Sequence, residues 1–255
     1  MALTYCFEST YVARTLAKCK KNDLAVVDTE GHELSVKNAV SRGVWVYGYL
    51  NVGAIEKGRS YYERFHHIRL AKYSGWDGEC WVNPTAKEWQ DHCINLAKEI
   101  KATGAIGLYL DNTDIYYMCQ QGFKEEKTKM LRSAPSAQAV YTALSNIILK
   151  IHALGLIVMP NGGDVFVRKF ITAHPKVIPT INQEGVFFEE LNKKNKSSDT
   201  QYYKDYCKWA QKKISGKVRI IEYTSSKTEQ AKIKAYCLAH NWDVYFSKHK
   251  ELRGD

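Results

Sequence analysis

Eight short apolar runs separated by longer helix-period segments recur along this chain, and that alternation limits the fold more than any other feature. The runs are LAVVD (24–28), VWVYGYLN (44–51), CWVN (80–83), AIGLYLD (105–111), LIVMPN (156–161), VIPTINQE (177–184), VRIIEY (218–223) and WDVYFS (242–247). They are rich in Val, Ile and Tyr and do not alternate strictly, as expected of strands buried on both faces of a parallel sheet. TYCF at 4–7 is a candidate for a further short strand. Between the runs lie helix signals. TAKEWQDHCINLAKEIKATG places Thr85 and Glu88 at capping-box spacing, sets Trp89, Cys93, Leu96, Ala97 and Ile100 on one face, and closes at Gly104. SAQAVYTALSNIILKIHALG repeats the scheme with Val140, Leu144, Ile147, Ile148 and Ile151, closing at Gly155. Ser226 and Glu229 form a second capping-box pair.

Sustained strand–helix alternation predicts an α/β fold with a parallel sheet. The phosphate-binding turns G-x-G-x-x-G and G-x-x-x-x-G-K-[ST] are both missing, which argues against an open nucleotide-binding sheet. About eight strands in 255 residues fit a single (β/α)₈ TIM-type barrel occupying residues 1–255. No Pro/Gly/Ser-rich linker divides them. Nearly every run ends in a polar side chain: Asp28, Asn51, Asn83, Asp111, Asn161, Glu184 and Glu222. Barrel active sites form at the C-terminal ends of the strands, where these residues would fall.

Asp111 and Glu184 stand out because each ends an otherwise uncharged run on a different strand. A carboxylate there must be solvated, paired or used, since burying it alone is costly. Helix capping or pairing with a lysine is the plain alternative, and ion pairs perturb such groups as readily as catalysis does. Two facing carboxylates are what glycosidic cleavage needs, one as acid and the other as nucleophile or base. Aromatic side chains support a sugar ligand: Tyr61, Tyr62, Phe65, Trp76 and Trp81 precede the Asp111 strand, and Tyr116 and Tyr117 follow it. Core packing explains any single one of them equally well.

Other chemistries find less support. No G-x-S-x-G elbow is present. His66 and His67 are adjacent and cannot share a helical metal face, and the 7 cysteines include no C-x-x-C pair, so neither a metal site nor a dense disulfide framework is expected. One disulfide stays open. No apolar run reaches the roughly 18 residues of a membrane helix. The net charge of +10 raises a nucleic-acid reading, but the lysines cluster in KCKKN, EEKTKM, LNKKNKSS and WAQKKISGK, which read as solvated helix faces and loops.

Several of these segments together resemble glycoside hydrolase family 114, the endo-α-1,4-polygalactosaminidase family of (β/α)₈ barrels. The likeness rests on VYGYLNVGAIEKGRSYY, GLYLDNTDIY and INQEGVFFE, with DLAVVD and the closing stretch IIEYTSSKTEQAKIKAYCLAHNWDVYFSKHKEL in support, and it covers about residues 20–252. The resemblance implies Asp111 as nucleophile and Glu184 as general acid/base of a retaining double displacement. Glu184 is preferred to Glu189 and Glu190 because E-G-V-F fits the family pattern and ends a strand. It also implies that Asp28, Tyr49, Asn51, Glu56, Arg59, Asn112, Asp114, Tyr116, Asn161 and Tyr223 lie near the substrate cleft, although Glu56 and Arg59 could pair with each other. The matching expectation is a monomer acting on a polysaccharide, with no cofactor and no membrane contact, extracellular by resemblance, although MALTYCFEST shows no export signal and a cytoplasmic location stays open. A galactosamine polymer is cationic, so a +10 protein would need an acidic cleft to admit it, and Asp28, Glu56, Asp111, Asp114, Glu184 and Glu222 are the candidates. An N-acetylated substrate would remove the conflict. Two rival readings remain: a non-catalytic glycan-binding barrel using the same cleft, and a basic nucleic-acid-binding protein.

Overall fold

In a computed structural model the described residues are 2–124 and 130–254, so most of the EEKTKM segment lies outside them. The chain runs β1 (Leu3–Cys6), α1 (Ser9–Lys18), β2 (Leu24–Val27), α2 (Glu33–Ser41), β3 (Trp45–Asn51), β4 (Ala54–Glu56), β5 (Arg69–Lys72), β6 (Glu79–Val82) and α3 (Lys87–Ala102). It continues through β7 (Gly107–Asp111), α4 (Ile115–Gln120), α5 (Ala137–Ala153), β8 (Ile157–Pro160), α6 (Asp164–Ala173), β9 (Ile181–Glu184), β10 (Phe188–Glu190) and β11 (Lys193–Lys194). It ends with α7 (Ser197–Gln211), β12 (Val218–Glu222), α8 (Lys227–Ala239) and β13 (Asp243–Phe246).

Eight of these strands are the staves of a (β/α)₈ TIM-type barrel. All their ladders are parallel, in two arcs: β1-β2-β3-β7-β8 and β13-β12-β9. An isolated parallel bridge between Asn161 and Asn182 joins the arcs at one seam, where the Gly162 N–H also donates to the Asn182 carbonyl at 3.1 Å. At the other seam the C-terminal stretch lies along β1. There the Phe7 N–H donates to the Leu252 carbonyl at 2.8 Å and the Gly254 N–H to the Tyr5 carbonyl at 3.0 Å, while the Tyr5 and Tyr245 rings meet at 5.3 Å.

Successive side chains on a strand point to opposite faces, and this parity sorts the core into two layers. Outward residues such as Val27, Val46, Leu108, Val158, Ile181 and Val218 pack beneath the helices. Inward residues fill the barrel, with Tyr5, Tyr47, Tyr109, Tyr223 and Tyr245 around Leu24, Val26, Met159 and Ile221. A tyrosine-filled interior must satisfy its hydroxyls. Tyr5 does so by donating to Asn182 Oδ1 at 2.7 Å.

Two expectations are corrected. The CWVN run is not a stave: β6 is the middle strand of a small antiparallel sheet with β4 and β5, inserted between β3 and α3. Its Trp81 and Val82 are buried, and a short buried run followed by a helix reads the same in sequence whichever sheet it joins. The missing stave is the short TYCF segment, which is β1. The Thr85–Glu88 capping box does not form either. The Thr85 hydroxyl donates to Asn83 Oδ1 at 2.7 Å, and α3 starts after Ala86 with no side-chain cap. Ser226 does accept from the Glu229 N–H at 3.4 Å. All seven cysteines are free thiols, six of them buried, so no disulfide forms.

Candidate active site

Parity decides which strand-end residues meet. Counting inward from Tyr109 on β7, Tyr49 on β3 and Ile221 on β12, the inward positions at the C-terminal rim are Asp28, Asn51, Asp111, Asn161, Glu184 and Tyr223. Asp111 and Glu184 are brought together through a shared donor. Asn161 Nδ2 lies 3.1 Å from Asp111 Oδ1 and 2.9 Å from Glu184 Oε1. Sharing one donor nitrogen, those two oxygens lie no more than about 6 Å from each other. Asn161 is fixed in turn by Asn182, whose Nδ2 donates to its Oδ1 at 2.7 Å.

Each carboxylate has further donors. Glu184 Oε1 accepts from the Tyr109 hydroxyl at 2.7 Å, and Oε2 accepts from the Tyr223 hydroxyl. The Tyr49 hydroxyl sits between Glu56 Oε1 at 2.7 Å and Asp111 Oδ2 at 3.1 Å, and can give its one proton to only one of them. Burial, followed by the Glu184 charge, pushes the Asp111 carboxyl up to about 7, against the hydrogen bonds from Asn161 and Tyr49. A like charge this close disfavours ionisation of Asp111, in the same direction as its burial.

A second network braces the rim. Arg59 bonds Glu56 Oε2 through Nε at 2.6 Å, and through Nη1 reaches Asp28 Oδ2 at 2.6 Å and Glu30 Oε2 at 3.0 Å. Its guanidinium also lies 5.5 Å from the Tyr49 ring centroid. Glu56 and Arg59 do pair with each other, and Asp28, 8% exposed, joins them. Burial raises the Asp28 carboxyl from its usual range despite Arg59. Asn51 turns the chain for them: Oδ1 accepts the Gly53 and Ala54 N–H groups at 3.2 and 2.8 Å, while Nδ2 donates to Glu56 Oε1 at 3.0 Å. Only glycine fits at 53, since a Cβ there would lie 2.0 Å from the Asn112 carbonyl oxygen. The β3 and β7 rims therefore touch backbone to backbone beside Asp111.

The remaining candidates separate. Asp114 accepts the Gly163 N–H at 3.2 Å and lines the cleft, and burial with Asp164 nearby pushes it up to about 6. Asn112, at φ +62°, also borders the cleft. Tyr116 does not. It packs on Tyr141 and Phe166, and Lys169 Nζ donates to its hydroxyl at 3.3 Å, between helices rather than over the site. Glu222 is also corrected. Its side chain is out of phase with Ile221 and Tyr223, fully buried, and accepts the N–H groups of Val186, Phe187 and Phe188 at 2.8–3.1 Å. It holds the loop after Glu184 instead of facing a ligand.

Sequence reasoning missed Glu79. This residue of β6 borders the same cleft as Asp111 and Glu184, and its Oε2 is buried without a hydrogen-bond partner. Burial, then the charges of Glu56 and Asp111, push it up to about 8. Nothing in ECWV marks it, because only the tertiary excursion of β4–β6 brings it over the barrel. Trp76 from the same excursion is 38% exposed and flanks both openings of the cleft, of about 270 and 250 Å³. Among the described residues no group of three or more His, Cys, Asp or Glu could hold a metal ion.

Comparison with known proteins agrees with this architecture. The profile of glycoside-hydrolase family GH114 matches residues 5–252. Among solved structures, the glycoside hydrolase domain of PelA from Pseudomonas aeruginosa superposes with a TM-score of 0.75, at 15% identity over 99% of this chain and 96% of that one. Aspergillus fumigatus Ega3, in complex with galactosamine, gives 0.67 at 14% identity, covering 99% and 91%. The α-galactosidase TtGalA of Thermus thermophilus, solved with stachyose, gives 0.61 at 10% identity, covering 98% and 62%. At these identities the likeness speaks for the fold. No curated protein matches the sequence.

Proposed function

The chain belongs to glycoside-hydrolase family GH114, and from that premise we propose that it is a retaining, endo-acting hydrolase of an α-1,4-linked galactosamine-type polysaccharide. The observation that carries the reading is Asn161 Nδ2 bonded to Asp111 and Glu184 at once. Their facing oxygens share one donor nitrogen and lie within about 6 Å of each other, which suits the separation of about 5–5.5 Å used for double displacement better than the gap of about 6.5–9.5 Å that admits a water for inversion. Asp111 attacks the anomeric carbon while Glu184 protonates the departing oxygen; Glu184 then takes a proton from the water that releases the sugar. Trp76 offers a stacking face beside them. In the cleft the carboxyl groups of Glu56, Glu79, Asp111, Asp114 and Glu184 outnumber the cations Arg59 and Lys250, which favours free amines over acetylated ones despite the net charge of +10.

One observation favours a second reading in which the two acids exchange roles. Glu184 receives three donors and Asp111 two, so Asp111 is the less firmly held of the pair. A carboxyl raised to about 7, as Asp111 is, has the usual profile of a general acid.

Hydrolysis of de-N-acetylated galactosamine polymer tests the activity. Asp111→Asn and Glu184→Gln are each expected to lose about 10³-fold or more in kcat. A wild-type chain that binds the polymer but releases no oligosaccharide would leave a non-catalytic binding barrel instead. Trapping the covalent intermediate with a slow fluorosugar and mapping the labelled peptide decides the roles: a label on Asp111 supports the first assignment, and one on Glu184 the exchange.

A further inference from the structure

Beside the catalytic cleft lies a larger hollow of about 740 Å³, which shares Tyr73 and Asp114 with it. Its far wall is built from elements the paired acids do not use. Asp164 opens α6, Asp199, Tyr202 and Tyr203 come from the opening turns of α7, and Tyr117 comes from α4. Asp114, Asp164 and Asp199 thus border one space, and among the described residues lining it there is no Lys or Arg. Arg168 approaches Asp164 Oδ2 only to 3.9 Å, because its guanidinium lies 5.0 Å over both the Tyr206 and Trp209 rings.

The aromatic side chains are held in place for a ligand. The Tyr202 hydroxyl donates to the Asp164 carboxylate, and the residue, 49% exposed, meets Tyr203 edge-on with ring centroids 5.6 Å apart. Burial, then the charges of Asp114, Asp164 and Asp199, raise the half-buried Tyr203 phenol, which agrees with three carboxylates facing one space.

In a chain of net charge +10, a hollow lined by three carboxyl groups and by no Lys or Arg, with Arg168 meeting Asp164 only at 3.9 Å from behind the wall, favours a cationic occupant. Carboxylates bind an ammonium by charge-assisted hydrogen bonds, and tyrosine faces attract it through their quadrupole. The hollow is also continuous with the reaction centre, since Asp199 and Tyr203 border the opening beside Glu184 as well. A polymer lying across Asp111 and Glu184 can therefore extend into it without a break.

We propose that this hollow is a distal subsite for an amine-bearing hexosamine unit of the polymer cut at Asp111 and Glu184, recognised by Asp164, Asp199 and Tyr202. The proposal rests on the reading of the chain as a galactosamine-polymer hydrolase. Binding energy gathered there, away from the reacting bond, anchors long chains and disfavours short ones, as an endo mode of action requires.

Titration calorimetry on the silenced Glu184→Gln chain tests it, using de-N-acetylated galactosamine oligomers of increasing length and their N-acetylated counterparts. Affinity for the amine oligomers is expected to rise once they are long enough to reach α7. Adding Tyr202→Ala and Asp199→Asn should remove that increment, about tenfold in Kd, and leave the shortest binding oligomer unaffected. N-acetylated oligomers should show no increment. Equal weakening of short and long oligomers, an increment that survives both substitutions, or an equal increment with N-acetylated chains would overturn the subsite. If no hexosamine oligomer binds while another glycan is cleaved by the wild type, the parent reading fails, and the subsite falls with it.

Discussion

The environment of the Asp111 carboxyl opposes its ionisation, and so costs the fold stability. Its folded pKa of about 7 stands above the value of about 3.9 in an unfolded chain, so ionising it opposes folding. That penalty is absent below about pH 4, grows between about pH 4 and 7, and is complete above. Asp111→Asn cannot ionise and keeps a polar group of the same shape for Asn161 and Tyr49. It is expected to stabilise the chain by about 1–3 kcal/mol at pH 8 and hardly at all at pH 4. Thermal melts at the two values check this, and equal shifts at both would contradict it. Single residues were legible in the sequence to the extent that strand parity was. Asp111 and Glu184 end apolar strands on the inward phase. Glu222 ends one as well, but VRIIEY has Ile221 and Tyr223 facing inward, so Glu222 must face outward. Tyr116 was misplaced because proximity in sequence to Asp111 does not fix the direction of a helical side chain.

Among the elements, the loop from Gly185 to Phe188 links the reaction centre to the barrel wall. Its three N–H groups converge on one buried carboxylate, and these bonds offset the cost of burying Glu222, whose carboxyl burial pushes up to about 8. Glu222→Ala strands those donors and is expected to cost about 2–4 kcal/mol. It should also lower kcat, because the loop begins directly after Glu184. Denaturant titration and steady-state kinetics together test this, and loss of stability with kcat intact would separate the loop from catalysis. Most staves and long helices could be read from their apolar periodicity. The β4–β6 insert could not, since its burial comes from lying on the barrel and not from any pattern within ECWV, and Glu79 was lost with it, whereas Trp76 was picked out as an aromatic. The capping box at Thr85 failed for a related reason: Asn83, two residues earlier, competes for the hydroxyl.

At the scale of the whole molecule, composition and site point in opposite directions. The excess of lysine lies on exposed positions such as Lys20, Lys21, Lys193, Lys194, Lys212 and Lys213, while the cleft and its neighbouring hollow are lined with carboxylates. Net charge read from the sequence therefore describes the exterior more than the cleft, where Arg59 and Lys250 are outnumbered by carboxyl groups. Because the attraction to an amine polymer is local and partly enclosed, KM for that polymer is expected to rise between about 0.05 and 0.5 M salt, with little change for an acetylated one. Identical salt profiles for both polymers would refute this.

The division of the barrel into arcs of five and three staves has a mechanical consequence. Asp111 belongs to one half-shell and Glu184 to the other, so the gap between the working acids is also the gauge of a joint held, among the described residues, by one backbone bridge at Asn161 and Asn182 and by the side-chain bonds of Asn161, Asn182 and Tyr109. Warming that slackens this joint pulls the acids apart while each half-shell keeps its own ladders and helices. Turnover is therefore expected to fail several degrees below the temperature at which helical circular dichroism is lost, and to return on cooling. Coincident loss of both would mean that the two half-shells come apart only when they melt.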